Sequence, residues 1–332
     1  MLKKLSSQEN FPILQDAKRA RFQPPLFAQL GIFILVFICS QIIQSIVVGI
    51  GMLPSLFQNI IPEMLSDEGV EQNFSLSEFM KSTSDKDTLI MLFSTIFMIV
   101  LVLIYCRKIE KRTYASMGFS KSKFAVHYLW GLFAGAVLFT VTVLICMLFG
   151  AIRFEVSNKI SVGYVILFFI AFLIQGASEE IMCRGYFMVS LSNRSSVVFA
   201  VFASSFMFSL FHVFNANVTF LGLFNIFLFG VFASLYMLLF NNIWGICALH
   251  SSWNFVQGNI FGSNTSGLAI DNRVLEMICS DKYELLNGGA FGIEGGLAMT
   301  IVLGIVIIIF TCLLFKRIHS TKLIGNEQDN IT

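Results

Sequence analysis

Eight apolar runs, at about residues 26–53, 88–106, 128–150, 161–191, 196–214, 217–240, 243–260 and 297–315, take up most of this chain. A helix rising ~1.5 Å per residue needs about 20 residues to cross a hydrocarbon layer ~30 Å thick. The chain is therefore expected to be an all-α polytopic membrane protein with about eight transmembrane helices. Very short links join the fifth, sixth and seventh runs, which argues for a tight antiparallel bundle. As one straight helix the fourth run would reach about 45 Å, so it is expected to tilt or to break near Gly185. Only 13% of the 332 residues are charged and 56% are hydrophobic, whereas about a quarter of a soluble domain is charged. The 37 phenylalanines suit lipid-facing helices.

The placement of charge gives an expected orientation. Arg107, Lys108, Lys111, Arg112, Lys121 and Lys123 follow the second run, and Lys316, Arg317 and Lys322 follow the last. Short loops rich in Lys and Arg stay on the cytoplasmic side. The loop 54–87 instead carries Asp67, Glu68, Glu71, Glu78, Asp85 and Asp87, and an even number of crossings then puts both termini inside. This gives a cytoplasmic segment 1–25, a single membrane domain 26–315 and a cytoplasmic tail 316–332. The first segment is polar, carries Lys3, Lys4, Lys18, Arg19 and Arg21, and lacks an apolar core of its own, which argues against a cleaved signal peptide. A net charge of +2 gives no reason to expect a nucleic-acid partner. The seven cysteines are scattered without a C-x-x-C pattern, so neither a disulfide framework nor a thiolate zinc site is readable.

Against this background, Glu179, Glu180 and Arg184 near the end of the fourth run are costly. Charges at membrane depth face a protein interior or a watery cavity and mark function. Glu180 and Arg184 stand four residues apart, the spacing of a helical ion pair, whereas Glu179 points about 100° away. One carboxylate can be neutralised while the other stays free. The membrane-depth histidines are His212, in Phe208-x-x-x-His212, and His250, in His250-x-x-x-Asn254. A carboxylate that takes a proton from water, with imidazoles and an amide to hold the water or stabilise an oxyanion, has the parts for peptide hydrolysis. Two histidines and a carboxylate, here Glu179, His212 and His250, also match a catalytic zinc set, so zinc or another divalent metal is an open option.

The order Glu179-Glu180-x-x-x-Arg184, Phe208-x-x-x-His212, His250-x-x-x-Asn254 on successive membrane helices resembles the CPBP family of intramembrane proteases. That family includes the type II CAAX prenyl endopeptidases and the bacterial Abi proteins. The resemblance covers about residues 110–310. It implies an eight-helix fold with an intramembrane catalytic cavity and Glu179 as the base that activates the hydrolytic water. His212, His250 and Asn254 would complete the site, with Glu180 and Arg184 as the supporting pair. The Phe- and Ile-rich composition looks like that of a low-GC bacterium, which would place the chain in a bacterial cytoplasmic membrane with a membrane-associated peptide or protein as substrate. The bacterial relatives also suggest a role in bacteriocin self-immunity.

Other readings stay beside this one. Neither H-E-x-x-H nor G-x-S-x-G occurs, so two familiar hydrolytic arrangements are absent. Glu180 with Arg184 could be a purely structural pair, and Asn254 an interhelical hydrogen-bond residue. His127 and His319 flank helices beside basic loops and read as interfacial. Glu294, in a Gly-rich stretch, reads as part of a turn into the last helix. A non-catalytic immunity protein on the same scaffold and a transporter remain alternatives, although the paired halves expected of a transporter are not evident. Depth arithmetic leaves one difficulty: His250 stands only about 12 Å from the turn near Asn242, whereas Glu179 and His212 stand roughly 20 and 25 Å from theirs.

Overall fold

Each of the eight apolar runs contains a helix in the computed structural model, which describes residues 7–55, 57, 84–158 and 160–329. In order, the elements are α1 (Pro12–Lys18), α2 (Leu26–Ser55), α3 (Asp85–Ser94), α4 (Ile96–Ile104), α5 (Phe124–Leu148), β1 (Ile152–Val156) and α6 (Val162–Glu180). There follow α7 (Val189–Ser192), α8 (Val197–Leu210), α9 (Phe220–Phe240), α10 (Trp244–Phe255), β2 (Leu275–Cys279), α11 (Glu284–Asn287) and α12 (Leu297–Asp329). Lys3, Lys4, Asp67, Glu68, Glu71 and Glu78 lie outside the described residues.

Six helical stretches are long and apolar enough to cross a membrane: Leu26–Pro54, Asp85–Ile109, Phe124–Leu148, Val162–Ser192, Phe220–Phe240 and Leu297–Ser320. The protein is thus an integral membrane protein. The runs at 196–214 and 243–260 make the shorter helices α8 and α10, the latter continued by a π-helical turn over Val256–Ile260. The fourth run does not break at Gly185. Its helix continues to Ser192 through a π-helical stretch, Ile181–Met188, in which every residue is buried. Wide π turns inside α-helices often occur at functional sites.

α10 is the innermost helix, with every residue from Gly245 to Asn254 buried, and it packs chiefly against α5 and α6. Glycines allow this. A Cβ on Gly131 would stand 2.1 Å from the Gly245 carbonyl oxygen, and one on Gly135 2.1 Å from that of Leu249. A Cβ on Gly176 of α6 would meet Ser251 Oγ at 2.6 Å. Small residues four apart let membrane helices touch backbone to backbone. Gly135→Ala is therefore expected to push α5 from α10 and to destabilise by about 1–3 kcal/mol. Gly31→Ala on α2, where a Cβ meets nothing within 4 Å, should not destabilise. Thermal unfolding in detergent compares the two variants, and equal midpoints would contradict this account of the packing.

The turn before α10 resolves the depth difficulty. Asn242 and Ile243 are buried, and the Ile243 amide donates to the Gly118 carbonyl at 3.0 Å. Asn241 Oδ1 accepts the Ile13 amide at 2.8 Å, and Trp244 Nε1 donates to the Ser120 carbonyl at 3.1 Å. α10 thus begins beneath a layer made by α1 and the segment 114–120. Phe11, Ile13, Leu14 and Ala17 are buried in that layer, so the N-terminal segment does contribute to the apolar core, which its overall polarity hides. Arg112 departs in a similar way from its reading as a loop charge: it is 1% exposed and bonded to the protein on every side.

At the opposite end, β1 and β2 pair antiparallel, with Ile152 opposite Cys279 and Val156 opposite Leu275. This two-stranded pairing is the only sheet among the described residues. Asp85 accepts hydrogen bonds from the Asp271 and Asn272 amides at 2.9 and 2.8 Å. Glu294 accepts from the Ser266 amide and hydroxyl at 2.8 Å each, so it holds a turn together.

Candidate active site

α6 and α10 run antiparallel, and their side chains meet as rungs. At one rung the His250 imidazole lies between the two carboxylates, Nδ1 at 2.9 Å from Glu180 Oε1 and Nε2 at 3.6 Å from Glu179 Oε2. At the next, Gly176 faces Ser251. At the third, Asn254 Nδ2 donates to Gln175 Oε1 at 2.9 Å. A four-residue repeat on each helix, 175 with 179 and 250 with 254, lines these polar groups up along one seam.

The two neighbouring glutamates differ in environment. The Glu180 side chain is fully buried and lies 3.1 Å from Arg184 Nη1, itself fully buried. The Glu179 side chain is 23% exposed, although its Oε2, turned towards His250, is buried without a hydrogen bond. Arg184 also lays its guanidinium over the Phe208 ring, 4.4 Å from the centroid, a cation–π contact that strengthens away from water. Its Nε and Nη2, and Glu180 Oε2, have no hydrogen-bond partner among the described residues. Buried polar atoms are normally paired, and the orphaned ones here gather around one place.

His212 reaches the same cluster through Phe208. α8 ends at Leu210 and His212 lies in the following turn, yet its ring still packs beside that of Phe208. The chain turns early, and Phe211 stacks on Phe37 of α2 at 3.7 Å between centroids. The Phe208 ring stands 4.9 Å from the His212 ring and 6.1 Å from that of His250. His212 Nδ1 contacts the Phe208 carbonyl oxygen at 2.8 Å. A carbonyl only accepts, so Nδ1 carries the proton, which in the neutral tautomer leaves Nε2 as the acceptor. On His250, a carboxylate at Nδ1 fixes the proton there in the same way, leaving Nε2 towards Glu179.

Glu179, Glu180, Arg184, His250 and Asn254 are thus directly linked or adjacent, and His212 joins them across Phe208. Residues 161–256 match the family model described as Type II CAAX prenyl endopeptidase Rce1-like. This Rce1-like domain contains all six of those residues and lies inside the stretch 110–310 over which the motif resemblance runs. No curated protein matches the chain. Residues 161–256 are thus similar to a CAAX-type protease domain.

A divalent metal would need three convergent donors. Among the described residues no three His, Cys, Asp or Glu side chains are grouped to hold one. His250 is bonded through Nδ1 to Glu180 and His212 stands beyond Phe208, so Glu179, His212 and His250 do not form a three-donor group, and no step below is routed through a metal.

Two participants were not singled out by the motifs. Gln175 is readable in retrospect as a polar residue one turn before Glu179 in an apolar helix. Phe229 of α9, 4.8 Å from the His250 ring and 5.4 Å from Trp253, carries no such signal, since one phenylalanine among 37 looks like any other. The Asn254–Gln175 bond predicts a measurable coupling. Asn254→Ala and Gln175→Ala should each destabilise the protein, and the double variant should show a coupling of about 0.6 kcal/mol. A double-mutant cycle in detergent reads this, and strict additivity would mean that the bond contributes nothing.

Proposed function

We propose that the protein hydrolyses a peptide bond of a membrane-associated protein or peptide, with Glu179 as general base. The observation that carries this reading is the asymmetric carboxylate pair around His250: Glu180 is buried and neutralised by Arg184, and Glu179 is partly open to solvent. A base must reach water, and only Glu179 of the two does.

In this mechanism a water molecule gives a proton to Glu179 while its oxygen attacks the scissile carbonyl carbon. His250, with Nδ1 committed to Glu180, holds the water by accepting its second hydrogen at Nε2, the nitrogen that faces Glu179, while His212 presents its own Nε2 from the far side of Phe208. Asn254 has one amide hydrogen on Gln175 and a second free to donate to the oxyanion. Positioned donors of this kind stabilise developing charge most where water is excluded. Collapse of the tetrahedral intermediate breaks the C–N bond, and Glu179 returns its proton to the leaving amine. Glu180 and Arg184 keep the His250 tautomer fixed, so that Nε2 faces Glu179 throughout.

The test compares wild type with Glu179→Gln in two ways. Membrane peptides from cells carrying each protein are compared by mass spectrometry, and purified protein in micelles is given a quenched fluorescent prenylated CAAX peptide and its unprenylated counterpart. A peptide produced only by the wild type supports hydrolysis. Identical peptide profiles and no turnover of either probe would favour a binding or transport role on this scaffold.

A further inference from the structure

Arg112 is the most completely engaged buried side chain outside the motifs, and its partners lie next to the site. Nη2 donates to the Ser116 carbonyl at 2.7 Å and to the Gly185 carbonyl at 3.0 Å. Nη1 faces the Ser190 hydroxyl at 3.0 Å, Glu110 Oε2 at 3.3 Å and the Tyr186 carbonyl at 3.4 Å, and Nε donates to Ser116 Oγ at 3.3 Å. Gly185 and Tyr186 are the two residues after Arg184, in the π-helical stretch Ile181–Met188. A π turn shifts carbonyls off the regular ladder, and a planar fork is suited to collecting two of them at once.

Packing at Gly185 makes this fork consequential. A Cβ there would stand 2.9 Å from Ile243 Cδ1 and 3.2 Å from the Met117 carbonyl oxygen, so the turn before α10 and the segment carrying Arg112 both press on the same backbone. Arg112 thereby ties the backbone that follows Arg184 to the segment 116–118, on whose Gly118 carbonyl the Ile243 amide before α10 rests. The chain of contacts runs from Arg112 to the Gly185 carbonyl, along one residue to Arg184, to Glu180 at 3.1 Å and to His250 Nδ1 at 2.9 Å.

We propose that Arg112 is a positioning residue of the site: through Gly185 and Tyr186 it fixes the π-helical turn that aims Arg184 at Glu180, and so sets the hydrogen bond from His250 Nδ1 to Glu180. Its importance for cleavage rests on the function proposed above, whereas its effect on His250 does not.

The experiment uses full-length protein with 15N-labelled histidine in detergent micelles and reads the Nδ1 signal of His250, with His127 and His319 as internal references. Arg112→Gln removes the charge and the fork. Arg112→Lys keeps the charge opposite Glu110 and loses the fork. Asn225→Ala is the control for general loosening, because Asn225 is buried and bonded to the Glu294 and Gly296 carbonyls at 2.7 and 2.9 Å, away from the seam. The His250 signal should shift in both Arg112 variants, more in Gln than in Lys, and stay in place in Asn225→Ala. Folded Arg112→Gln should also cleave the prenylated CAAX probe on the order of 10- to 100-fold more slowly than wild type, the loss expected of a site displaced by a fraction of an ångström. An unshifted His250 signal in the folded Arg112 variants overturns the proposal, and so does an equal shift in Asn225→Ala. If Glu179→Gln still cleaves the probe, the proposed function fails while the His250 result stands on its own.

Discussion

Glu179→Gln is expected to lower turnover by about 10²–10⁴-fold, the usual contribution of a general base, with little change in unfolding temperature. Glutamine keeps the size and one acceptor oxygen of the side chain but cannot take a proton from water. Stability should survive because Glu179 is partly exposed and its nearest partner, His250 Nε2, is 3.6 Å away, so no short hydrogen bond is lost. His250 also keeps its closer contact with Glu180. Turnover of the active peptide and thermal unfolding, measured on the same preparation, check both halves. Full activity would remove Glu179 from the mechanism, and a collapse of stability would recast it as a structural residue.

Arg184→Gln and Glu180→Gln should behave in the opposite manner, losing stability together with rate. Both side chains are fully buried, and removing one partner of a buried pair leaves the other charge unpaired, at a cost of about 3–5 kcal/mol. Arg184→Gln also gives up the stacking on Phe208, and Glu180→Gln replaces the carboxylate that holds His250 Nδ1. The double variant Glu180→Gln/Arg184→Gln should be less destabilised than the sum of the two, because neither charge is then stranded. Thermal unfolding of the three variants measures this. Wild-type stability in both single variants would mean that the pair is solvated or loosely held.

The motif residues were legible for a simple reason: ionisable groups in apolar runs stand out, and four-residue spacing tells which of them share a helix face. That reasoning reached Glu180 and Arg184 as neighbours, and it separated Glu179 from them. It also carried the choice of His212 and His250, the two histidines within apolar runs. It did not reach the bridging position of His250 between both glutamates, because spacing within one helix says nothing about the rotation of another. It treated His212 as helical, whereas the chain turns after Leu210 and a carbonyl of the preceding turn sets the tautomer. It counted Arg112 with Arg107 and Lys108, since a loop arginine beside other basic residues reads as surface charge until its partners are known.

The helical, membrane-spanning character of this protein was written in the sequence, because the length and apolarity of a run decide by themselves whether a helix can cross a bilayer. The tertiary structure decided how deep each helix sits. Glycines at 131, 135 and 176 let α10 approach its neighbours to backbone distance. The buried turn at Asn242–Ile243, capped by α1 and the segment 114–120, set its height against α6. Those are contacts between residues far apart in the chain, and the hydrogen bond between Glu180 and His250, 70 positions apart, exists only when they are all made.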